Sequence, residues 1–569
     1  MSSWVSAGRR GFPLVMVLQG VLGSLRLLEA FEVVFFPTVH RITVTKIFKL
    51  GFDPLAPLVL LFVAWIAWML LSEKGVLAFY PLVGFVVYPF SGLGAAVSVA
   101  SLFCVAVGLY ASRQFGEFLK SFLIGASALE GLALLHWLVF VPLGVGSPLT
   151  GLASLELDLF SVASYLAPLL VLPLMFMWAL KFIVGWGWGI NFGQAESAIP
   201  KKRMARAWVY LSLAVLLGVL AAVYPYLPGV NPGGSTVGVD IAHYITSAKM
   251  VEVDVSQVFN VSGGSRPLIY LVILGVQRLT RLSVEASVEY LPVLLIPVLV
   301  LSAFFLARVV SGNDYVAVWS AFFTATGVQV TVGMYSYFLT NLLALSLAFL
   351  SSALLLLALR RGSYMFALGA SALGGLLLFT HPWTFDQLLG SVAVFTLFAG
   401  YEGWRRRIYG QFSMLVVYVG LMVFFEFCKS FVFQGVGGIS ASSTVTGNLA
   451  GLGGFWAASI FGFRYLYGGF ISDILLISLS LIGVYLLRRG VTSERFFIVY
   501  CAMTSLVFML GDDTIKSRLL FNLPFALFSG LGLHWLLSSS RFVGYRKYIF
   551  PSVILSSLVY LFRCLGNLV

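Results

Sequence analysis

The chain has 569 residues, of which 60% are hydrophobic and 10% are charged, and its formal net charge is +13. Soluble domains carry about 25% charged residues, so this composition excludes an ordinary soluble globular protein. The basic residues form short clusters between apolar stretches, which is typical of a membrane topology and excludes a basic surface for nucleic acid.

Long apolar stretches follow one another along almost the whole chain, whose mean hydropathy is +0.99. A membrane-spanning helix needs about 20 mostly apolar residues, and these stretches reach that length. They lack a two-residue alternation, so they predict helices rather than a closed barrel. We therefore predict an all-α polytopic membrane protein with about 16–17 transmembrane helices. The predicted spans of the front part are 12–36, 55–72, 76–90, 94–111, 119–143 and 160–187.

A polar segment, 191–206, separates these spans from the rest of the chain and ends in the basic run KKRMAR. Loops rich in Lys and Arg remain on the cytoplasmic side, so we predict a cytoplasmic basic linker here. The linker divides the chain into an N-terminal multi-helix membrane module, 1–190, and a second membrane module, 207–569.

The second module repeats the pattern of apolar stretches with basic residues at alternate ends. Its predicted spans are 207–227, 287–309, 314–333, 336–359, 363–380, 383–402, 411–434, 467–487, 494–510, 517–537 and 547–565. Placing the basic ends inside assigns the outward segments as 228–285, the corner at His381, 434–464 and 511–518. The topology of residues 1–75 stays open, because Arg41, Lys46 and Lys49 would lie outside.

The first outward segment, 228–285, is long for a packed helical protein, and loops of that length are usually functional or disordered. Two stretches within it predict surface helices. Residues 240–251 read as a short amphipathic helix, and residues 267–282 as a helix lying along the membrane surface.

Asp240 stands directly before the first of these helices. As an N-cap it would only satisfy exposed backbone N–H groups. As an outward-facing carboxylate it could instead serve as a general base or a metal ligand. His243 follows three residues later, so both side chains could project from one helical face. The residues alone leave these interpretations open.

Other polar residues of the same segment are candidates for a metal site or for modification. Glu252 and Asp254 are further candidate metal ligands, although exposed loop carboxylates are more often only solvated. Asn260 begins the tripeptide Asn-Val-Ser, which matches the acceptor pattern for N-glycosylation.

Ionisable residues also occupy the later outward corners. His381 lies in THPWT, where the proline permits a helix break, and an interfacial helix cap is the alternative interpretation. Arg518 enters an apolar span at its outer end, where a cation needs an anionic partner or room to reach the interface. Arg266 precedes a proline near the interface. Because a guanidinium binds phosphate through paired hydrogen bonds, these arginines predict a phosphate or diphosphate site.

Several familiar motifs are absent from the sequence. There is no P-loop, no HExxH, no complete GxGxxG in a strand–helix setting and no EF-hand. The four cysteines are scattered and show no CxxC spacing, so they predict neither a disulfide framework nor a zinc site.

From about Ala207 onward, the order of the motifs resembles the C-type (GT-C) superfamily of membrane glycosyltransferases. The resemblance covers the second module and not the front helices. The stretches that carry it are DIAHY at 240–244, RPLIY at 266–270, YFLTNLLA at 337–344, THPWT at 380–384 and SRLLFNLP at 517–524.

The resemblance implies a GT-C-like module that transfers a sugar from a polyprenyl-phosphate-linked donor on the extracytoplasmic face. It implies a catalytic base at Asp240. The residues that would contact the substrates are His243, Tyr244, Arg266, His381, Lys516 and Arg518. The implied partners are membrane lipid, a polyprenyl-phosphate sugar donor and an acceptor glycan, lipid or protein, with no nucleic acid.

The sequence departs from two better-defined groups within this superfamily. Asp240 is followed by Ile241, so the adjacent Asp-Glu pair of protein O-mannosyltransferases is missing. The W-W-D motif of oligosaccharyltransferase catalytic subunits is also missing. A divalent metal is therefore compatible with the resemblance but is not required by it.

Two other functions remain compatible with the sequence. A transporter or lipid flippase would carry charges near the bilayer midplane and paired broken helices in two related halves. The strong charges here gather at the outer interface, and the sequence shows no obvious internal repeat. A non-catalytic scaffold with GT-C architecture is the other alternative, and a transfer assay separates it from an enzyme.

Overall fold

The computed structural model describes residues 115–179, with gaps at 152, 154–169 and 177, and residues 204–568, with gaps at 407–408, 433–465, 468–472, 488–491 and 510–512. All regular elements in these residues are helical. The prediction of an all-α polytopic membrane protein is confirmed. The first four predicted spans, most of the span 160–187 and most of the basic linker lie outside the described residues.

Eight helical stretches in the described part of the chain are long and apolar enough to cross a membrane. They are Leu123–Leu143, Ala207–Tyr226, Val284–Ser311, Asp314–Ser336, Leu339–Arg361, Gly410–Phe431, Ile515–Ser538 and Ser540–Gly566. Each corresponds to a span predicted from the sequence, with ends that differ by a few residues.

The described residues belong to two compact units. One unit takes in those up to Leu138, those within Gly146–Leu166, and Val543–Val559. Its first described helix is α1 (Phe115–Leu135), which continues into a π turn at His136–Phe140. The Oγ atoms of Ser127 and Ser552 lie 2.7 Å apart, and Ser552 also donates to the carbonyl of Leu123 at 3.0 Å. Such hydroxyl bonds join helices where water is scarce.

The other unit takes in Val139–Val145, the described residues of Ala167–Phe542, and Tyr560–Val569. The helices from residue 207 onward are α2 (Ala207–Val223), α3 (Ile241–Val253), α4 (Pro267–Thr280), α5 (Val284–Glu289), α6 (Pro292–Ser311), α7 (Asp314–Thr326), α8 (Val328–Ser336), α9 (Leu339–Arg361), α10 (Tyr364–Leu378), α11 (Pro382–Arg406), α12 (Gly410–Val432), α13 (Ile474–Leu486), α14 (Thr492–Ser505), α15 (Asp513–Phe521), α16 (Phe525–Ser538) and α17 (Arg546–Gly566).

Local sequence signals explain where many of these helices begin and end. Proline opens α4, α6 and α11, because a first-turn residue needs no hydrogen bond from its backbone nitrogen. Gly312 and Gly362 close α6 and α9 in the left-handed conformation, which glycine adopts without steric cost. Asn313 starts α7, since its side-chain oxygen accepts from the backbone N–H of Tyr315 at 2.9 Å.

Two spans that the sequence predicts as single helices are interrupted. The span 314–333 divides into α7 and α8 at Gly327, which has an extended backbone. The span 517–537 divides into α15 and α16 before Phe525, because Pro524 offers no backbone N–H. The two breaks are adjacent: the Nε2 of Gln329 donates to the carbonyl of Leu523 at 2.8 Å. That bond satisfies a carbonyl freed by the break.

Two other helices are shorter than their predicted spans. The described helix α10 has 15 residues and α13 has 13, against about 20 for a straight crossing. Helix α10 ends where the chain turns into the THPWT corner, and α13 begins directly after its N-cap Asp473, whose carboxylate accepts from the backbone N–H of Leu476. Hydropathy windows extend across such caps, so they overestimate helix length.

Helices α13 and α16 pack with their backbones in direct contact. A Cβ on Gly483 would lie 1.9 Å from the carbonyl oxygen of Phe528, and one on Gly532 would lie 2.2 Å from that of Leu479. Small residues of this kind permit close helix packing in membranes. The contact fixes α16 and therefore the end of α15 that precedes it.

The outward segment 228–285 contains both helices expected from the sequence, α3 and α4. The chain before α3 and the last turn of α5 are bonded to the end of α8 and the bend that follows it. The backbone N–H of Val239 donates to the carbonyl of Tyr335 at 3.0 Å. The hydroxyl of Tyr337 donates to the carbonyls of Val288 and Glu289 at 2.8 and 3.0 Å. These bonds hold the chain before α3 and the last turn of α5 to one structural element.

Gly238 makes this attachment sterically feasible. Its φ is +96°, and a Cβ there would lie 2.5 Å from Cδ2 of Tyr337.

We expect Gly238→Ala to lower the free energy of unfolding by about 1–3 kcal/mol through backbone strain and overpacking. Thermal unfolding in detergent measures this effect. The control is Gly233→Ala in the same loop, where the nearest contact is 3.7 Å and little change is expected. Equal midpoints for the two variants would refute the steric explanation.

Candidate active site

Asp240 and Arg518 form an ion pair although 278 residues separate them in the chain. The Nη2 of Arg518 lies 3.3 Å from Oδ2 of Asp240, and the two side chains are 9% and 40% exposed. Asp240 occupies the N-cap position of α3, but its side chain makes no capping bond to a described residue. A carboxylate committed to capping would face the helix, whereas this one faces a buried guanidinium and remains open on its other side.

The guanidinium of Arg518 is held on three sides. Its Nη1 donates to Oδ1 of Asn341 at 3.2 Å, and its Cζ lies 3.6 Å from the centre of the Phe338 ring. Stacking on an aromatic face stabilises a desolvated cation. The Nε of Arg518 and the Nδ2 of Asn341 are buried and have no hydrogen-bond partner among the described residues. Both atoms are donors that a ligand oxygen would satisfy.

His381 is fully buried at the corner between α10 and α11. Its Nδ1 lies 2.8 Å from the hydroxyl oxygen of Thr384 and accepts from the backbone N–H of the same residue at 3.3 Å. Since Nδ1 is an acceptor, the proton of the neutral ring belongs on Nε2. That Nε2 has no hydrogen-bond partner in the described part of the chain. It is therefore a third donor available to a ligand.

The electrostatics of this corner favour the neutral form of the imidazole. Burial lowers the pKa of His381 well below its ordinary value of 6.5, and the positive charges of Arg266, Arg518 and Lys429 lower it further. The three nearby cations disfavour protonation of His381 because they repel positive charge. The same positive charge favours the binding of an anion.

The depressed pKa of His381 predicts acid sensitivity of the fold. In the unfolded chain the ring binds a proton below about pH 6.5, while the native ring does not, so stability is lost as pH falls below that value, by up to about 1.4 kcal/mol per pH unit. We expect His381→Gln to flatten the fall in thermal midpoint between pH 7.5 and 5.5. The control His243→Gln, at an exposed position, should keep the wild-type slope; an unchanged slope in His381→Gln would contradict the assignment.

Amide and hydroxyl groups connect the His381 corner to the end of α15. Asn522 Nδ2 donates to Thr384 Oγ1 and to Gln387 Oε1, both at 2.9 Å. Gln387 Nε2 donates in turn to the hydroxyl of Thr504 at 2.7 Å. Buried networks of this kind fix the relative positions of the elements that carry them. Here they fix Arg518, on α15, relative to His381.

The tyrosines and His243 of the outward segment contribute to its structure. The Tyr244 hydroxyl lies 3.1 Å from Oγ1 of Thr340, in the first turn of α9. Ser262 Oγ lies 3.2 Å from Nε2 of His243 and 3.0 Å from the hydroxyl of Tyr270. His243 is exposed and contacts Ser262, while Asp240 contacts Arg518. The shared helical face expected from their spacing does not give them a shared partner.

Arg266 and Lys516 are the two further predicted cations, and the structure brings Arg266 into electrostatic range of the pair. Arg266 is half-buried directly before α4, and its charge acts on both Arg518 and His381. Lys516 is fully buried on α15, two residues before Arg518. The structure thus places Arg266, His381 and Arg518 within electrostatic range of one another.

The candidate metal ligands have other roles. Asp254 accepts from the backbone N–H of Ser256 at 3.0 Å and caps a short 3₁₀ turn, and Glu252 accepts from Gln277. The described residues contain no group of three His, Cys, Asp or Glu side chains able to hold a metal ion. A metal site built from Asp240, Glu252 and Asp254 therefore does not fit. Asn260 is exposed, with its Nδ2 3.3 Å from Oε1 of Gln257.

Sequence reasoning did not single out Phe338, Asn341 or Lys429. Asn341 and Lys429 each have a signal in the sequence, because an amide or an ammonium within an apolar span is costly unless it is paired or functional. Asn341 lies in the first turn of α9, and Lys429 lies near the end of α12, where it is 1% exposed. Only the three-dimensional contacts show that Asn341 bonds to Arg518 and that Lys429 bonds to the end of α10 before His381.

Comparisons with known proteins give partial matches only. The sequence matches no protein-family model and no curated protein. Similar solved structures include the apo form of the Archaeoglobus fulgidus oligosaccharyltransferase, with 12% identity, a TM-score of 0.43 and coverage of 62% of this chain and 56% of that one.

Two further structures are of the same kind of protein from the same organism. The complex with Zn and sulfate has 15% identity, a TM-score of 0.42 and coverage of 62% and 53%. The complex with an inhibitory peptide and a dolichol-phosphate has 14% identity, a TM-score of 0.41 and coverage of 62% and 55%. The matched region spans a little over half the length of these structures.

Proposed function

We propose that this protein is a membrane glycosyltransferase that moves a sugar from a polyprenyl-phosphate-linked donor to an acceptor hydroxyl on the extracytoplasmic face. The observation that carries the proposal is the half-exposed carboxylate of Asp240 beside the buried guanidinium of Arg518. The motif order described above supports the same activity.

The chemistry needs a base and an anion site next to each other. Asp240 removes the proton of the acceptor hydroxyl, and the acceptor oxygen attacks the anomeric carbon of the donor sugar. The bond from that carbon to the phosphate oxygen breaks, and the lipid phosphate leaves with the electron pair. The new glycosidic bond and the free lipid phosphate balance the reaction, with the acceptor proton retained on Asp240 until it passes to solvent.

The departing phosphate is the charge that most needs stabilisation, and the site concentrates positive charge where that charge develops. Arg518 and Arg266 supply guanidinium groups, and Lys516 adds a buried ammonium. The N–H groups of His381 Nε2 and Asn341 Nδ2 are neutral donors that suit a phosphate oxygen. Tyr244 and His243 stabilise the loop that presents Asp240, through Thr340 and Ser262 respectively.

The basic clusters support an extracytoplasmic position for this site, because they assign its loops to the face opposite the positively charged ones. The acceptor in this proposal is a glycan, a lipid or a protein with an available hydroxyl.

A donor-dependent assay on the purified protein in lipid nanodiscs tests the proposal. A panel of polyprenyl-phosphate sugars is supplied, and release of free polyprenyl phosphate is measured together with formation of a glycosylated product. Release that depends on the protein and is lost in Asp240→Asn supports the proposal. Movement of intact donor between leaflets without bond cleavage would indicate a flippase, and neither activity with any donor would indicate a scaffold; both results contradict the proposal.

A further inference from the structure

Lys429 is an ammonium group buried between membrane helices, beside the candidate site. It lies on α12 and is 1% exposed. Its Nζ donates to the carbonyl of Leu378 at 2.9 Å and to that of Ser265 at 3.3 Å, and it lies 5.5 Å from the centre of the Phe379 ring. A cation within an apolar helix is costly and therefore rare. The groups that it contacts indicate why it is there.

The contacts join two parts of the chain that carry candidate site residues. Leu378 is the last residue of α10, whose terminal carbonyls attract a cation, and His381 follows three residues later. Ser265 is the residue directly before Arg266. In addition to the bonds of Lys429, the backbone N–H of Leu268 donates to the carbonyl of Phe379 at 3.1 Å. The turn before α4 is therefore attached at two points to the turn after α10.

Two carboxylates compensate the buried charge. Glu426 lies three residues earlier on α12 and therefore on the same helical face, and Asp386 lies on α11. Both act electrostatically on Lys429. A buried ammonium with compensating carboxylates and two backbone carbonyls remains in one position. Such a group suits a residue that fixes the relative positions of neighbouring chain segments.

We propose that Lys429 is a positioning residue that holds the turn carrying Arg266 against the corner carrying His381. Its effect on the donor phosphate is exerted through Arg266 and rests on the function proposed above. Without Lys429, the link through Leu268 alone remains, and Arg266 loses its fixed distance from His381 and Arg518.

Hydrogen–deuterium exchange of the full-length protein in nanodiscs tests the attachment without reference to activity. In Lys429→Met we expect the amides of Ser265, Arg266 and Leu268 to exchange about tenfold faster, since local opening becomes easier, while the amides of α9 keep their rates. Lys429→Arg should restore slow exchange, because the charge and the donors remain. The control Lys547→Met removes an exposed lysine elsewhere and should change neither segment.

Binding of dolichyl phosphate and undecaprenyl phosphate to the same variants provides the second measurement. We expect Lys429→Met to weaken binding about tenfold, because Arg266 is then no longer held in position to bind the phosphate, and Lys429→Arg to retain affinity. Unchanged exchange at 265–268, or faster exchange with unchanged affinity, would overturn the assignment of Lys429. If the wild-type chain binds neither lipid, the proposed function fails, and the exchange data alone then decide whether Lys429 is the attachment.

The removal of a buried lysine leaves its carboxylates uncompensated and could destabilise the whole fold. The double variant Lys429→Met with Glu426→Gln removes one negative charge as well and guards against that outcome. It still lacks the bonds to Ser265 and Leu378, so the same acceleration at 265–268 is expected. Slow exchange in the double variant would show that charge balance, and not attachment, is the role of Lys429.

Discussion

Replacement of Asp240 by asparagine is expected to lower the rate of sugar transfer by about 10²–10⁴-fold, the usual contribution of a general base. Asparagine keeps the size of the side chain and can still accept from Arg518, so the fold and donor binding should survive. The loss should appear in kcat, measured as release of polyprenyl phosphate at saturating donor.

Asp254→Asn is the matched control for this variant. Asp254 is an exposed carboxylate of the same outward segment, and it caps a short turn that asparagine caps equally well. The control should transfer at the wild-type rate. If Asp240→Asn is also as active as the wild type, Asp240 is not the base and the proposed function loses its main support.

Replacement of Arg518 by methionine is expected to reduce kcat/KM for the donor by about 10²–10³-fold, as observed when one donor that stabilises developing negative charge is removed. Both KM and kcat should worsen, because in the proposed mechanism the guanidinium contacts the phosphate before and after bond cleavage. Arg518→Lys keeps the charge but loses the paired donors and the stacking on Phe338, so it should recover activity only in part.

Arg278→Met provides the control for the loss of an arginine. Arg278 is exposed in the last turn of α4 and forms no ion pair with a candidate site residue among the described residues, so the control should resemble the wild type. The double variant Asp240→Asn with Arg518→Met should be no worse than the more damaged single variant, because the two residues act as a unit. Fully multiplicative losses would show that they act independently.

Much of the fold follows from hydropathy, because each apolar stretch of spanning length has few alternatives in a bilayer. The stretches around 207–227, 287–309 and 336–359 correspond closely to described helices for this reason. The breaks at Gly327 and Pro524 were not predicted. A hydropathy window averages over about 19 residues and does not register one glycine or proline, whose effect depends on whether a neighbour such as Gln329 satisfies the freed carbonyl.

The candidate site could be predicted in part. Asp240 stands out as a carboxylate before a surface helix, and Arg518 and His381 stand out as ionisable residues at the ends of apolar spans. The alternating topology assigns all three to one side. Their contacts did not follow from the sequence, because hydropathy orders helices along the chain and leaves their lateral neighbours undetermined. The pairing of Asp240 with Arg518, and the attachment by Lys429, depend on that lateral arrangement. The front spans 12–111 remain a prediction.

The bonds made by Val239, Tyr337 and Ser265 hold the outward segment to the helices, and this attachment affects the entropy cost of binding. A catalytic group on a free loop must be immobilised at each turnover, and the lost entropy opposes binding. Here the loop is already fixed by bonds to the membrane helices, so Asp240 is preorganised. The conformational entropy is lost when the chain folds, not when a ligand binds. In the proposed reaction, donor and acceptor would then reach Asp240 past a stationary loop, along the membrane plane or through the open side of the carboxylate.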